Sequence, residues 1–266
     1  MTYKFGFIGA GNMGGALLTA AAKNNPVIKI SVYDTNEEKA KAFREKYENV
    51  SFTSLEELVR ESEYVFIGVK PQMLAELFSD ISPLFDTCCP VLVSMAAGTS
   101  VEKLCALSKK EMPVIRIMPN TPAMIGEGVI LYCSNNKVSD DKISYFVAAM
   151  SGAGLLDKID ESKIDAASAV SGCGPAFAYM FIEALADGAV ECGIPRDKAI
   201  QYAAKMLSGS ADMVLETGMH PGALKDAVCS PGGTTIAGVH ALENGAFRSA
   251  AMNAVTSAYK RTLELK

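Results

Sequence analysis

Short apolar runs rich in β-branched residues alternate with runs of helical periodicity over about the first 150 residues. This alternation is typical of β-α-β units and of a parallel sheet covered by helices. It predicts strands at residues 4–9, 29–34, 64–69, 90–95, 113–118 and 128–133. It predicts helices between them at residues 14–23, 37–47, 54–62 and 100–110.

The strand pattern stops near Asp160, and only helical patterns follow. Proline near the start and glycine just past the end mark several of these helices. The sequence therefore predicts an α/β fold with a doubly wound sheet at 1–160, followed by an all-α domain at 161–266. The later helices are apolar on more than one face, which indicates a subunit interface.

Composition narrows the function classes. The chain has 266 residues, 49% of them hydrophobic, and a net charge of -5, which argues against a nucleic-acid surface. Glu183 and Asp187 interrupt the longest apolar run, so no membrane span is expected. The first residues have the pattern of a strand and not of a cleavable signal. The expected location is cytoplasmic.

The numbers and spacing of cysteines and histidines bear on disulfide bonds and metal sites. The seven cysteines include no C-x-x-C pair and are expected to be reduced and structural. Only two histidines are present, so a histidine-rich metal site is excluded and no metal is expected. The H-E-x-x-H, G-x-S-x-G and G-K-[ST] motifs are missing, which removes most hydrolases and P-loop phosphotransferases.

A glycine motif, Gly9-x-Gly11-x-x-Gly14, stands between the first predicted strand and the first predicted helix. In this setting it predicts a Rossmann-type dinucleotide site, with the N-terminus of the following helix facing the pyrophosphate and with Asn12 and Met13 among the cofactor contacts. Asp34 follows the second strand, twenty residues past Gly14, where a carboxylate can bind an adenosine ribose. The alternative is a structural glycine turn with a surface aspartate. The predicted cofactor is NAD(H) or NADP(H).

Loops at the carboxyl ends of parallel strands line the ligand crevice of such a sheet. The expected cofactor contacts there are Val69, Lys70, Pro71, Ala96, Ala97, Gly98 and Asn120. The small residues at 96–98 let the dinucleotide lie against backbone. Lys70 is otherwise a surface lysine, and Asn120 either binds the nicotinamide amide or serves a loop turn.

The segment Ser230-Pro-Gly-Gly-Thr-Thr235 opens a predicted helix. Free N–H groups of Gly233, Thr234 and Thr235, with the hydroxyls, would form a site for a carboxylate or phosphate. The alternative is that these residues only form the N-cap of a helix and bind no ligand. No lysine, arginine or histidine stands within residues 229–235.

The motifs "FIGAGNMG", "VKPQ", "SMAAG", "RIMPNTP", "SGCGPAF", "EALADGAV" and "SPGGTT" occur in one order along the chain. In that order and spacing, and above all over residues 220–248, the chain resembles the pyrroline-5-carboxylate reductases. The resemblance implies hydride transfer from NAD(P)H to the C5 imine carbon of 1-pyrroline-5-carboxylate, giving L-proline. It also implies an interlocked homodimer, assembled further.

The resemblance assigns the substrate to Glu161, Ser230, Gly233, Thr234 and Thr235. Thr235 would hydrogen-bond the ring nitrogen as the catalytic residue, and Ser230 with the adjacent amides would bind the carboxylate. Two positions depart from the family pattern: Ala227 stands where some members carry asparagine, and Cys229 where some carry serine or threonine.

A cyclic imine enters already protonated, so the site needs no acid side chain, unlike a ketone reductase. Two alternatives stay open. A β-hydroxyacid dehydrogenase would need a lysine on the first long helix of the second domain, and residues 175–191 contain none. A catalytically silent dinucleotide sensor would bind cofactor without turnover.

Overall fold

The computed structural model describes residues 1–264. Strands β1 to β8 are Tyr3–Ile8, Ile30–Tyr33, Val50–Phe52, Ser62–Ile67, Val91–Ser94, Val114–Met118, Gly128–Ser134 and Gly154–Lys158. Helices α1 to α7 are Asn12–Asn24, Glu37–Lys46, Leu55–Glu61, Leu74–Ile81, Val101–Ser108, Asp140–Met150 and Glu161–Ser171. Helices α8 to α12 are Gly174–Glu191, Arg196–Thr217, Pro221–Ala227, Thr234–Asn244 and Phe247–Glu264.

The strands form one eight-stranded sheet in the order β3-β2-β1-β4-β5-β6-β7-β8. All neighbours are parallel except β6 and β7, which pair antiparallel. The chain reverses its direction of growth between β1 and β4. In open α/β sheets ligands bind outside the carboxyl ends of the strands at this switch point. The predicted Rossmann-type doubly wound sheet is confirmed.

Both faces of the sheet are buried, because alternate residues of each strand point to opposite sides. On β4, Tyr64 and Phe66 join a core covered by α1, α2 and α6. Their neighbours Val65 and Ile67 join a second core covered by α3, α4, α5 and α7. This two-sided burial explains why the central strands are almost continuously apolar.

The chain divides into two compact units. The first contains the sheet, α1 to α7 and the end of α12 from Ala258, and the second is Gly174–Ser257. The helical region after the sheet is confirmed. By contacts, however, α7 groups with the sheet and not with the later helices, so the division at residue 160 stays a prediction.

One helical stretch, Glu161–Glu191, is long and apolar enough to cross a membrane by length and composition, with a hydropathy of 1.3. The expectation that no run reaches this length is therefore wrong. The stretch consists of α7 and α8, separated by a turn at residues 172–173. Ile164 and Ala169 of α7 are buried in the first unit, so its apolar face is used there.

Candidate active site

The glycine turn between β1 and α1 has the geometry that its sequence predicts. Gly9 has φ of +95°, a conformation that favours glycine. A Cβ on Gly14 would lie 2.1 Å from the Gly9 carbonyl oxygen, so only glycine lets α1 pack this closely on the turn. A Cβ on Gly11 would meet nothing within 4 Å. Gly11 therefore borders open space, and the backbone there is accessible to a ligand.

Helix α1 presents an uncapped N-terminus. Gly11 is its N-cap, no side chain within the described residues caps it, and its first turn carries no acidic residue. Asn12 and Met13 begin the helix, where backbone N–H groups have no partner inside the helix. Such an end binds anions, and a pyrophosphate satisfies it.

The half-buried Asp34 carboxylate joins the end of β2 to this turn. Its Oδ2 accepts the Ala10 N–H at 2.7 Å, and its Oδ1 accepts the Asn36 N–H at 2.8 Å. Asp34 is thus part of the scaffold of the glycine turn. Each carboxylate oxygen keeps a further lone pair, so a ribose hydroxyl can still bind.

A cleft of about 370 Å³ lies at the switch point. The structure brings five predicted cofactor residues into its wall, namely Gly9, Gly11, Asp34, Val69 and Lys70. The other predicted cofactor residues are not part of the wall, namely Asn12, Met13, Gly14, Pro71, Ala96, Ala97, Gly98 and Asn120. Residues outside the predicted set also line the cleft, namely Ile8, Tyr33, Thr35, Lys39, Leu55, Gly68, Met73, Glu76, Leu77 and Asp80. Three of these lie on α4, whose apolar spacing at Leu74, Leu77, Phe78 and Ile81 is the signal that could have found it.

The loop after β5 forms a tight turn that is hydrogen-bonded to the end of β4. The Met95 N–H donates to the carbonyl of Ile67 at 3.3 Å, and the Thr99 N–H donates to the carbonyl of Ala96 at 3.3 Å. Gly98 has φ of +68° in this turn, which favours glycine. Ala96 is buried and Ala97 is exposed. The small residues Ala97 and Gly98 therefore leave their backbone accessible, whereas Ala96 packs into the core.

Asn120 is occupied by backbone groups at both ends of its amide. Its Oδ1 accepts the Val129 N–H at 2.9 Å, and its Nδ2 donates to the carbonyl of Ser171 at 2.9 Å. The residue is 7% exposed. These hydrogen bonds support the alternative that Asn120 stabilises the loop. Binding of the nicotinamide by Asn120 stays a prediction that no hydrogen bond here supports.

Glu161 lies in a charged network with Arg116 of β6, beside the start of α5. Its Oε1 accepts the Val101 N–H at 2.8 Å and lies 3.3 Å from Nη1 of Arg116. Arg116, 2% exposed, also pairs with Asp165 at 2.5 Å. Burial raises the pKa of the neighbouring Cys133 to about 11. No contact here favours the predicted substrate role of Glu161.

The predicted substrate loop lies in the second unit, between α10 and α11. The Gly233 N–H, expected to be free, donates to the Ser230 carbonyl at 3.0 Å, and Gly232 has φ of +67°. Gly233 is the N-cap of α11, so the free N–H groups begin at Thr234 and Thr235. Within residues 1–264, no side chain caps this helix and its first turn has no acidic residue. The loop can therefore bind an anion.

The charged side chains of this unit near the loop are paired with each other. Lys225 lies 2.5 Å from Asp226, and Arg248 lies 2.6 Å from Glu243. The hydrogen bond to Asp226 raises the pKa of Lys225, and the same bond lowers the pKa of Asp226. Binding of an anion at residues 230–235 thus depends on backbone N–H groups and hydroxyls.

The doubly wound sheet, the glycine turn and the uncapped helix define a dinucleotide-binding protein of the Rossmann type. Two family models match the chain: "NADP oxidoreductase coenzyme F420-dependent" at residues 4–98, and "Pyrroline-5-carboxylate reductase dimerisation" at residues 161–265. The chain belongs to the pyrroline-5-carboxylate reductase family.

Similarity extends over whole chains. A pyrroline-5-carboxylate reductase of Glycine max is 40% identical, covering 99% of this chain and 96% of the relative. That of Escherichia coli K12 is 38% identical, covering 100% and 99%. A crystal structure of Plasmodium falciparum pyrroline carboxylate reductase with NADP bound has a TM-score of 0.87 at 32% identity, covering 98% of this chain and 97% of the other. The resemblance read from the motifs is confirmed.

Proposed function

We infer that this chain is an oxidoreductase that reduces 1-pyrroline-5-carboxylate to L-proline with NAD(P)H, the last step of proline biosynthesis. One observation carries the inference: pyrroline-5-carboxylate reductases about 40% identical match this chain from end to end. The glycine turn and the Ser230–Thr235 loop are both intact in it.

The glycine turn fits a dinucleotide. The space beside Gly11 is open and leaves room for a phosphate, and no side chain of the described residues caps the N-terminus of α1. In the proposal Asn12 and Met13 N–H groups hold the pyrophosphate, and Asp34 orients the adenosine ribose. Val69, Lys70 and Pro71 lie along the dinucleotide, and Ala96, Ala97 and Gly98 offer backbone to it. When bound, the reduced nicotinamide supplies the hydride.

In the proposal Ser230 and the N–H groups at the start of α11 hold the substrate carboxylate. The Thr235 hydroxyl binds the ring nitrogen and fixes the face of the imine. A protonated imine needs no acid from the protein, which is consistent with the uncharged loop. Orientation of the two reactants then supplies most of the catalysis.

We propose that the second unit forms the interface of a homodimer that assembles further. Ala186, Ala199 and Ala203 are its buried hydrophobic residues within residues 1–264. Large apolar side chains are left exposed, among them Tyr179 at 59%, Met180 at 68% and Leu215 at 80%. A face this apolar requires a partner. The dimerisation model over the same helices supports this assignment.

The activity is tested by adding pyrroline-5-carboxylate to purified protein with NADPH or NADH. Oxidation of the nicotinamide must be matched by proline measured with mass spectrometry. Faster turnover of 2-keto or 3-hydroxy acids would favour a hydroxyacid dehydrogenase, although α8 contains no lysine to act as its acid. Cofactor binding without turnover of any of these would favour a silent sensor. A cytoplasmic location stays a prediction.

A further inference from the structure

The turn at residues 96–99 is anchored at both of its ends. Before the turn, the Met95 N–H binds the carbonyl of Ile67, the residue that precedes Gly68. After the turn, the Val101 N–H binds Oε1 of Glu161. The second anchor comes from a residue 60 positions away along the chain. The position of the turn therefore depends on a side chain outside its own loop.

Glu161 serves two helices with one carboxylate. It is the first residue of α7, and its Oε1 accepts an N–H at the first residue of α5. A carboxylate at a helix N-terminus is favourable because the free N–H groups and the helix dipole are positive there. Ser100, the N-cap of α5, binds the Lys103 N–H, so the Val101 N–H depends on Glu161.

Arg116 holds this carboxylate in place. The guanidinium comes from β6, is almost fully buried, and contacts Glu161 on one side and Asp165 on the other. Planar guanidinium groups fix the direction of the carboxylates that they bind. Glu161 is only about one-third exposed, so its direction is set by these partners.

We propose that Glu161 is a positioning residue for cofactor binding. Held by Arg116, it fixes the turn at residues 96–99 through the Val101 N–H, and it does not contact the substrate. The proposal rests on the proposed nicotinamide-dependent function, because the turn is one of the expected cofactor contacts.

Three variants test it through the dissociation constant of NADPH, measured by direct binding without turnover. Glu161→Ala removes the acceptor and should weaken NADPH binding by about tenfold, the size expected for one charge-assisted hydrogen bond. Glu161→Gln keeps an acceptor oxygen and should restore most of the affinity. Val101→Pro removes the N–H at a helix position that tolerates proline, exchanges one apolar side chain for another, and should reproduce the weakened binding.

Asp160→Ala is the matched control, because the Asp160 side chain caps α7 through the Ser162 N–H, whereas the Val101 N–H of α5 binds Glu161. It should lower the Tm and leave the NADPH affinity unchanged. If Asp160→Ala weakens NADPH binding as much as Glu161→Ala, the effect is general stability of α7 and the proposal is wrong. A higher KM for pyrroline-5-carboxylate with unchanged NADPH affinity in Glu161→Ala would instead make Glu161 a substrate residue.

Unchanged NADPH binding in Val101→Pro also contradicts the proposal, even where Glu161→Ala fails to fold. Because binding is measured directly, a failure of the proposed reaction leaves these outcomes distinct.

Discussion

The Asp34 carboxylate binds the Ala10 N–H at 2.7 Å, so the residue expected to bind the adenosine ribose also holds the glycine turn. Replacing it therefore changes two things that must be separated. Asp34→Asn removes the charge and keeps an acceptor oxygen. Asp34→Ser removes the charge and is too short to reach Ala10 in the same way.

We expect both variants to shift the ratio of kcat/KM toward NADPH, by about fivefold or more. The reason is that the Asp34 carboxylate repels the 2′-phosphate of NADPH, which NADH lacks. Like charges a few ångströms apart near a protein surface repel by about 1–4 kcal/mol. Only Asp34→Ser should also lower the Tm. Steady-state kinetics with NADH and NADPH measure the shift. An unchanged ratio in both variants would show that Asp34 acts on the turn alone.

Gly11 and Gly14 belong to one motif but should fail for different reasons. Alanine at position 14 places a methyl group against the Gly9 carbonyl, so Gly14→Ala should lose about 1–3 kcal/mol of stability. Alanine at position 11 meets nothing in the protein, so Gly11→Ala should keep its Tm and weaken NADPH binding. Thermal melting and cofactor titration of the two variants check this. Normal NADPH affinity in Gly11→Ala would place the pyrophosphate elsewhere.

Thr235→Val tests the predicted catalytic hydroxyl without a change of shape. Losing one hydrogen bond to a charged centre costs about 1.5–3 kcal/mol, or roughly ten- to hundredfold in kcat/KM. Thr235→Ser should keep most of the activity, and NADH affinity should be unchanged in both variants. A lower Tm with normal kinetics in Thr235→Val would mean that Thr235 only begins α11.

Assembly can be tested at the exposed face of α8. Light scattering should give at least twice the mass of one chain. Met180→Glu should reduce that mass, because Met180 is 68% exposed on the face proposed for the interface. Met124→Glu is the matched control on the first unit, where Met124 is 56% exposed. An active monomer, or equal effects of the two changes, contradicts the assignment.

The elements best predicted from sequence are those whose pattern reflects burial. Six strands and the helices of the second half follow their hydrophobic periodicity. Strand β3 was missed because it has only three residues, and β8 because its half-exposed GLLDK carries little alternation. Helices α4 and α6 were missed although the buried positions of each have helical spacing.

The site divides in the same way. Gly9, Gly11 and Gly14 were predictable because a local turn needs glycine in a fixed pattern. The partners of Asn120 and Glu161 were not, because a polar side chain can bind backbone that is distant in sequence. Asn120 binds the carbonyl of Ser171, 51 positions away along the chain, and no local sequence pattern indicates this hydrogen bond. Their roles could only come from the folded structure.

The pairing of Arg116 with α7 has a consequence for how this chain can be divided or recombined. The family's dimerisation model begins at residue 161, yet its residues Glu161 and Asp165 supply both carboxylates that pair with the buried Arg116 guanidinium. An exchange of halves between relatives at residue 160 leaves an arginine of one parent dependent on acids of the other. Removing the partners of a buried charge costs about 3–5 kcal/mol. Taking strand β6 and helix α7 from one parent keeps this pairing intact, and a crossover beyond Cys173 does so.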